Sequence, residues 1–325
     1  MAVCGGCVIN ISGFALHYKN HLNDLVQLYL RHDLLSNSRV CGKCGRDVQL
    51  LVNNSRNRIA FACRRRVDGG GECGWYVSAR KNTFFADSRL NLYEIGYFAV
   101  LWCILPKPLS PVVKLELGFS GRTIVEWCNF CREVCVAWVD ANKKQIGGPG
   151  VVIEIDETEF GKSKYHKRRY TEGQKLIGGV ERENHKNFFV VPVEKTDKET
   201  LLAVIKDWVL PGTVIISDCW KAYECLEHEG FVDLRVNQSI QFVDSDHGNR
   251  GKKSVLPDDS LVHTLNATNR WKNMKHGSNS IPGFGSTKVH FVGYLAEFLF
   301  KSSFPLETRV HEFFKAASVL YSPLH

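Results

Sequence analysis

Two aspartates stand at the ends of hydrophobic runs patterned as strands. In VVIEIDETEF, residues 151–160, the apolar Val151, Ile153 and Ile155 alternate with Glu154 and Asp156. That period of two predicts a strand with one buried face, carrying a carboxylate near its end. In TVIISD, residues 213–218, a second β-branched run closes on Asp218. Two strands delivering Asp156 and Asp218 at the same depth of one sheet make a two-carboxylate site for a hard dication, Mg²⁺ or Mn²⁺. Taken singly, Asp156 reads as a hydrogen-bonded strand-end acid and Asp218 as a helix cap. The pairing is what points to a metal.

Thiols form the second chemical group. Cys41 and Cys44 make a CGKC knuckle, and Cys63 and Cys73 follow after a strand-like stretch. Four thiolates on a pair, a hairpin and a second pair suit tetrahedral Zn²⁺, which stabilises a module too small for a core of its own. Nine residues, RRRVDGGGE, separate Cys63 from Cys73, so the second knuckle needs a glycine-rich bulge. Arg64, Arg65 and Arg66 on that bulge offer charges to phosphate, where an ordinary basic loop would only be solvated. The terminal pair Cys4 and Cys7, CGGC, has no second pair beside it and reads as free thiols on a loose end.

Composition sets limits on partners and compartment. The 325 residues, 44% hydrophobic, allow two or three domains with real cores. The sequence carries no apolar run long enough to span a bilayer and no secretory signal, so the expectation is a soluble protein, not secreted: nuclear if eukaryotic, otherwise cytoplasmic. Twelve cysteines without an export signal are expected as thiols or metal ligands rather than disulfides. The net charge of +8 lies wholly in residues 1–150, with 19 Lys+Arg against 11 Asp+Glu; residues 151–325 balance at 23 against 23. If nucleic acid is the partner, the first half should do most of the gripping.

These residues need elements to position them. Residues 1–35 read as an N-terminal helical segment with Leu22, Leu25, Val26 and Tyr29 on one face. Residues 36–92 read as the zinc ribbon. Residues 93–142 read as a helix-turn-helix-like module, turning at Gly118-Phe119-Ser120, with Arg122, Thr123, Glu126 and Asn129 opening its second helix; a plain helical hairpin is the competing reading. Cys128, Cys131 and Cys135 form one stripe of that helix, expected as core rather than a metal site. Residues 143–150 read as a linker, 151–303 as the second large domain and 304–325 as a C-terminal tail. Within 151–303, a basic hairpin tip carries Lys162, Lys164, Arg168 and Arg169, and the order strand, strand, strand, helix, strand predicts a ribonuclease-H-like fold. The chain as a whole is expected to be mixed α/β.

The phrases IEIDETEFGKSKY, GGVER, ISDCWKAY, HTLNATNRWKNMKH and YLAEFLF, with the cysteine ribbon, RKNTFFADSRL and NFCREVC, resemble transposases of the Merlin superfamily and related bacterial insertion sequences. The likeness spans nearly the whole chain. It implies a metal-dependent nuclease and strand transferase that cuts transposon terminal repeats and joins them to target DNA, working as a homo-oligomer on double-stranded DNA. Asp156 and Asp218 match the first two catalytic carboxylates. The third motif resembles H-T-x-N-x-E-x-x-W: His263, Thr264, Asn266 and Trp271 match, but Thr268 stands where the resemblance expects glutamate. A neutral hydroxyl cannot replace an anionic ligand for a hard dication. Asn266 or Asn269 could offer an amide oxygen instead, and Asp258 and Asp259 on the preceding polar loop are a remoter substitute. Lys275 matches a basic residue after the motif that could contact phosphate. Trp271 and Met274 share a helical face and are expected in the core.

Three functions remain open from sequence: an active transposase, a catalytically impaired DNA-binding derivative, and a zinc-ribbon regulator of protein or RNA.

Overall fold

The computed structural model describes residues 4, 6–66, 71–107, 109–160, 173–218, 231–236, 265–276 and 288–323. The chain divides into two compact units, Met1–Ala141 with Leu299–His325, and Asn142–Phe298.

The first unit opens with α1 (Ile11–Tyr18), capped by Asn10, whose side chain accepts from Gly13 N. Next is α2 (Leu22–Arg31), which buries Leu25, Val26, Leu28, Tyr29 and Leu30 as its amphipathic pattern predicts. Strands β1 (Ser38–Val40), β2 (Asp47–Asn53), β3 (Arg58–Cys63) and β4 (Trp75–Ser78) form an antiparallel sheet in that order. Helix α3 (Leu92–Ile104) opens on a capping box of Asn91 and Glu94, and nearly every later residue is buried. Helix α4 (Ser110–Leu117) ends on Gly118, whose φ of +66° is the left-handed cap that a residue with a Cβ resists. Ser120 then accepts from Thr123 N at the start of α5 (Gly121–Ala141). Cys131 and Cys135 are buried on α5 and Cys128 is partly buried, as the stripe predicts.

The second unit holds the mixed sheet. Residues 143–150, read from the sequence as a linker, contain β5 (Ile146–Gly147), which pairs in parallel with β9 (Val209–Leu210). Gly147 N donates to Glu181 Oε1 and Gly148 N to Thr213 Oγ1, so this glycine stretch is bonded into the fold. The five-stranded sheet takes β6 (Val152–Phe160), β7 (Gln174–Glu181), β8 (Phe188–Val193), β10 (Val214–Asp218) and β11 (Val232–Val236) in the order β11-β10-β6-β7-β8. β6, β7 and β8 are antiparallel, whereas β10 runs parallel to β6 and β11. Helix α6 (Lys198–Trp208), capped by Asp197, gives Leu201, Val204 and Ile205 to a core with Ile153, Ile155, Ile177 and Ile215. Helix α7 (Leu265–His276) packs on β6 and β7.

The helix α8 (Lys288–Ser303) precedes α9 (Leu306–Leu320). Residues 304–325, read as a tail, thus contain a helix whose Val310, Phe313 and Phe314 are buried and which packs on α3 and α5. Arg309 is held within the first unit by the carbonyls of Cys103, Lys301 and Phe304. The repeated apolar spacing of EFFKAASVL belongs to a docked helix rather than a solvated end.

Candidate active site and thiol cluster

The strand pattern of β6 places Ile153 and Ile155 against α6 and turns Glu154 and Asp156 toward α7. The second face is covered as well: Glu154 is fully buried. Three donors converge on Asp156. The backbone N–H of Glu157 donates to Oδ1 at 2.8 Å, and Thr268 Oγ1 and Trp271 Nε1 each donate to Oδ2 at 3.1 Å. Trp271 and Met274 are buried, as expected. The indole N–H on the carboxylate is not legible in the sequence, because a periodicity argument assigns a tryptophan to a face without saying where its one polar atom ends.

The seat for Trp271 is a glycine. Gly178 pairs with Asp156 across β6 and β7, and a Cβ at this position would run into the Trp271 ring. Gly178→Ala should therefore cost about 1–3 kcal/mol through overpacking. A lowered urea midpoint at unchanged slope would report it.

Asp218 is the last residue of β10. The pairing of β10 with β6 runs as far as Ser217 opposite Ile155, so the next register position of β10 is level with Asp156 on the adjacent strand. Asn266, expected as the third catalytic group, is bonded to Glu154 through its two nitrogens. Its backbone N–H donates to Glu154 Oε2 at 2.7 Å and its Nδ2 to Oε1 at 2.8 Å. Ala267 N at 3.2 Å and Arg182 Nε at 3.0 Å also donate to Glu154. Sequence reasoning passes over Glu154 as the solvent-side residue of an alternating strand. Asn269 is exposed.

For a hard cation the chain offers Asp156 on β6, the aspartate that ends β10 and, where a third carboxylate would stand, the neutral hydroxyl of Thr268. His263, Thr264, Asp258, Asp259 and the basic tip with Lys162, Lys164, Arg168 and Arg169 lie outside the described residues, as do the side chains of Asp218 and Lys275.

In the first unit, the turn after β1, the end of β3 and the start of β4 bring four thiols together. Cys41 Sγ is 3.5 Å from Cys73 Sγ and Cys44 Sγ is 3.6 Å from Cys63 Sγ, with all four within 4.8 Å of one another. A tetrahedral zinc with Zn–S of about 2.3 Å separates its sulfurs by about 3.8 Å. Burial pushes the Cys73 thiol up to about 12. At Cys41 the same penalty is outweighed by the backbone N–H groups of Cys44 and Lys43, which bring it down to about 6. Arg64, Arg65 and Arg66 are exposed between Cys63 and Cys73, where Cys73 N donates to Arg65 O and the backbones of Arg66 and Glu72 form an isolated antiparallel β-bridge. Arg122 is exposed at the start of α5, with its Nε donating to Glu126 Oε1 at 2.8 Å.

Residues 145–303 match the family described as the ISXO2-like transposase domain, in agreement with the insertion-sequence resemblance of the motifs. No curated protein matches the chain. Among the described residues, no helix is long and apolar enough to cross a membrane.

Proposed function

We propose that this chain, whose residues 145–303 belong to the ISXO2-like transposase domain family, is a DNA-binding protein derived from an insertion-sequence transposase, with metal-dependent DNA cleavage held back at Thr268. The observation carrying this reading is the 3.1 Å hydrogen bond from Thr268 Oγ1 to Asp156 Oδ2. The side chain at the glutamate position of the resembling motif reaches the carboxylate, so α7 is docked as a catalytic helix would be, but with a neutral third group. A ribonuclease-H-like fold is supported by three antiparallel strands, a helix and then parallel strands, with aspartates on the first and fourth.

Asp156 and Asp218 would hold Mg²⁺ or Mn²⁺, which supplies the charge stabilisation for phosphodiester cleavage and strand transfer. The chain's own residues do the positioning. Trp271, Thr268 and the Glu157 N–H fix the rotamer of Asp156, as outer-shell donors do for metal ligands. Cys41, Cys44, Cys63 and Cys73 hold a structural Zn²⁺, and Arg64, Arg65, Arg66 and Arg122 neutralise phosphates of double-stranded DNA, where the chain acts as a homo-oligomer. Cys41→Ser should lose that zinc and unfold β1–β4, visible as about one fewer zinc per chain and a weaker far-ultraviolet strand signal; a folded, zinc-replete variant would refute the ligand set.

The test is nicking of supercoiled plasmid with Mg²⁺ or Mn²⁺, alongside DNA affinity as a function of salt. Weak nicking abolished in Asp156→Asn, with DNA binding retained, is the expected result; cleavage surviving that substitution would put the active site elsewhere. Replacing Arg64, Arg65 and Arg66 by alanine should flatten the log K against log salt slope by about 0.9 for each phosphate no longer neutralised. Salt-insensitive or absent DNA binding would favour a zinc-ribbon regulator of protein or RNA.

A further inference from the structure

The terminal CGGC pair is not alone. Cys4 N donates to Arg31 O at 3.0 Å, which folds the N-terminal segment back along the end of α2. There Cys7 Sγ lies 3.3 Å from Nε2 of His32, the residue following α2, and 3.4 Å from Nδ1 of His311 on α9. The two ring nitrogens are 3.0 Å apart, and Cys4 Sγ completes a set of four ligand atoms all within 4.8 Å of one another. Both histidines are buried and both thiols are half-buried.

Hydrogen bonding alone accounts poorly for this cluster. An imidazole nitrogen directs one hydrogen or one lone pair along a single axis in the ring plane, so three atoms in mutual contact cannot all be joined by linear hydrogen bonds. Three atoms aimed at one point between them can share a cation. Tetrahedral zinc, with Zn–S of about 2.3 Å and Zn–N of about 2.0–2.1 Å, holds sulfur and nitrogen about 3.5 Å apart and two nitrogens about 3.4 Å apart. The observed 3.0–3.4 Å separations are slightly tighter than that geometry and of the same form.

The outer nitrogen of His32 is hydrogen-bonded as in metal-bound histidines, and that of His311 lies near a carboxylate. His32 Nδ1 is 2.9 Å from Leu28 O, an acceptor that fixes the hydrogen on Nδ1 and turns the Nε2 lone pair to the cluster. His311 presents Nδ1 to the cluster and sets Nε2 3.9 Å from the Glu312 carboxylate. The two cysteines have the two-residue spacing of the Cys41–Cys44 knuckle, within the usual range for zinc.

We propose that Cys4, Cys7, His32 and His311 form a second zinc site, a Cys₂His₂ centre separate from the four-cysteine cluster. It fastens the N-terminal segment to α9 inside the same unit, joining residues about 300 positions apart. Closing so long a loop restricts the unfolded chain strongly, so the metal contributes directly to the stability of this unit.

The experiment is the zinc content of the purified full chain by mass spectrometry. Two zinc ions per chain are expected in the wild type, one in His311→Gln, one in Cys44→Ser and none in the double variant. One zinc in the wild type, or two retained in His311→Gln, would overturn the site. Because His311→Gln could unfold α9, the wild type is also stripped of zinc with a chelator and refolded during titration with Co²⁺. Two equivalents should bind, the four-thiolate and the two-thiolate centres giving different d–d spectra; saturation at one equivalent would refute the proposal.

Discussion

Thr268→Glu should raise Mg²⁺-dependent nicking about 10²–10³-fold over the parent protein, the scale on which one well-placed charge-stabilising group acts at a phosphoryl centre. The geometry for this gain already exists. Thr268 sits one turn before Trp271 on α7, and both side chains reach Asp156 Oδ2 at 3.1 Å. A glutamate from the same backbone position brings a second carboxylate to Asp156, where the two repel unless a cation lies between them. The variant should accordingly be less stable than wild type without metal and regain stability on adding Mg²⁺, a response wild type should show only weakly. Thr268→Gln matches glutamate in length without the charge and should give no gain. Thr268→Glu combined with Asp156→Asn should be inactive. A folded, DNA-binding Thr268→Glu protein with unchanged nicking would mean that the missing carboxylate is not what limits cleavage.

The sequence exposed the backbone of this site but not its wiring. Alternation in IEID gave β6 its two faces, and the second β-branched run ending in aspartate gave β10, because period and chain order are local properties. Glu154 escaped notice for the opposite reason. Alternation marks a charged residue as outward-facing, and only the docking of α7, more than a hundred residues later, converts that face into an interior. The same limit separates the two cysteine pairs. Cys41, Cys44, Cys63 and Cys73 are close enough in sequence for spacing rules to unite them. Cys7 meets His32 across 25 residues and His311 across 304, distances at which no spacing rule operates. The stretch 143–150 shows the converse error: its glycines look like slack, but Gly147, with φ of +89°, is where the backbone passes against Thr213 too closely for any side chain.

Glu154→Gln should be among the most destabilising single-atom changes in the second unit, although Gln has the same shape. Both carboxylate oxygens accept bonds, Oε1 from Arg182 Nε and Asn266 Nδ2, Oε2 from the backbone N–H groups of Asn266 and Ala267. An amide must present its NH₂ to one of these pairs, whichever way it flips, setting donor against donor. It also removes the negative charge that the Arg182 guanidinium meets at 3.0 Å on a fully buried carboxylate, and breaking such a pair typically costs about 3–5 kcal/mol. For a unit of this size that is a fall in melting temperature of roughly 10 °C. The local consequence is sharper. Glu154 is the acceptor for the first N–H groups of α7, the ends that a helix cannot satisfy for itself, so the start of the helix should loosen first. Amide exchange at Asn266 and Ala267 should accelerate about 10²–10³-fold, the equivalent of those energies at 1.4 kcal/mol per decade. Glu183→Gln, at an exposed residue next to Arg182 in the turn between β7 and β8, should change stability by less than about 0.5 kcal/mol. Because Thr268 and Trp271 ride on α7, their hydrogen bonds to Asp156 should weaken together in Glu154→Gln, linking a buried residue that touches no substrate to the carboxylate on which cleavage depends. Unaltered exchange at Asn266 and Ala267 would show that α7 is anchored elsewhere.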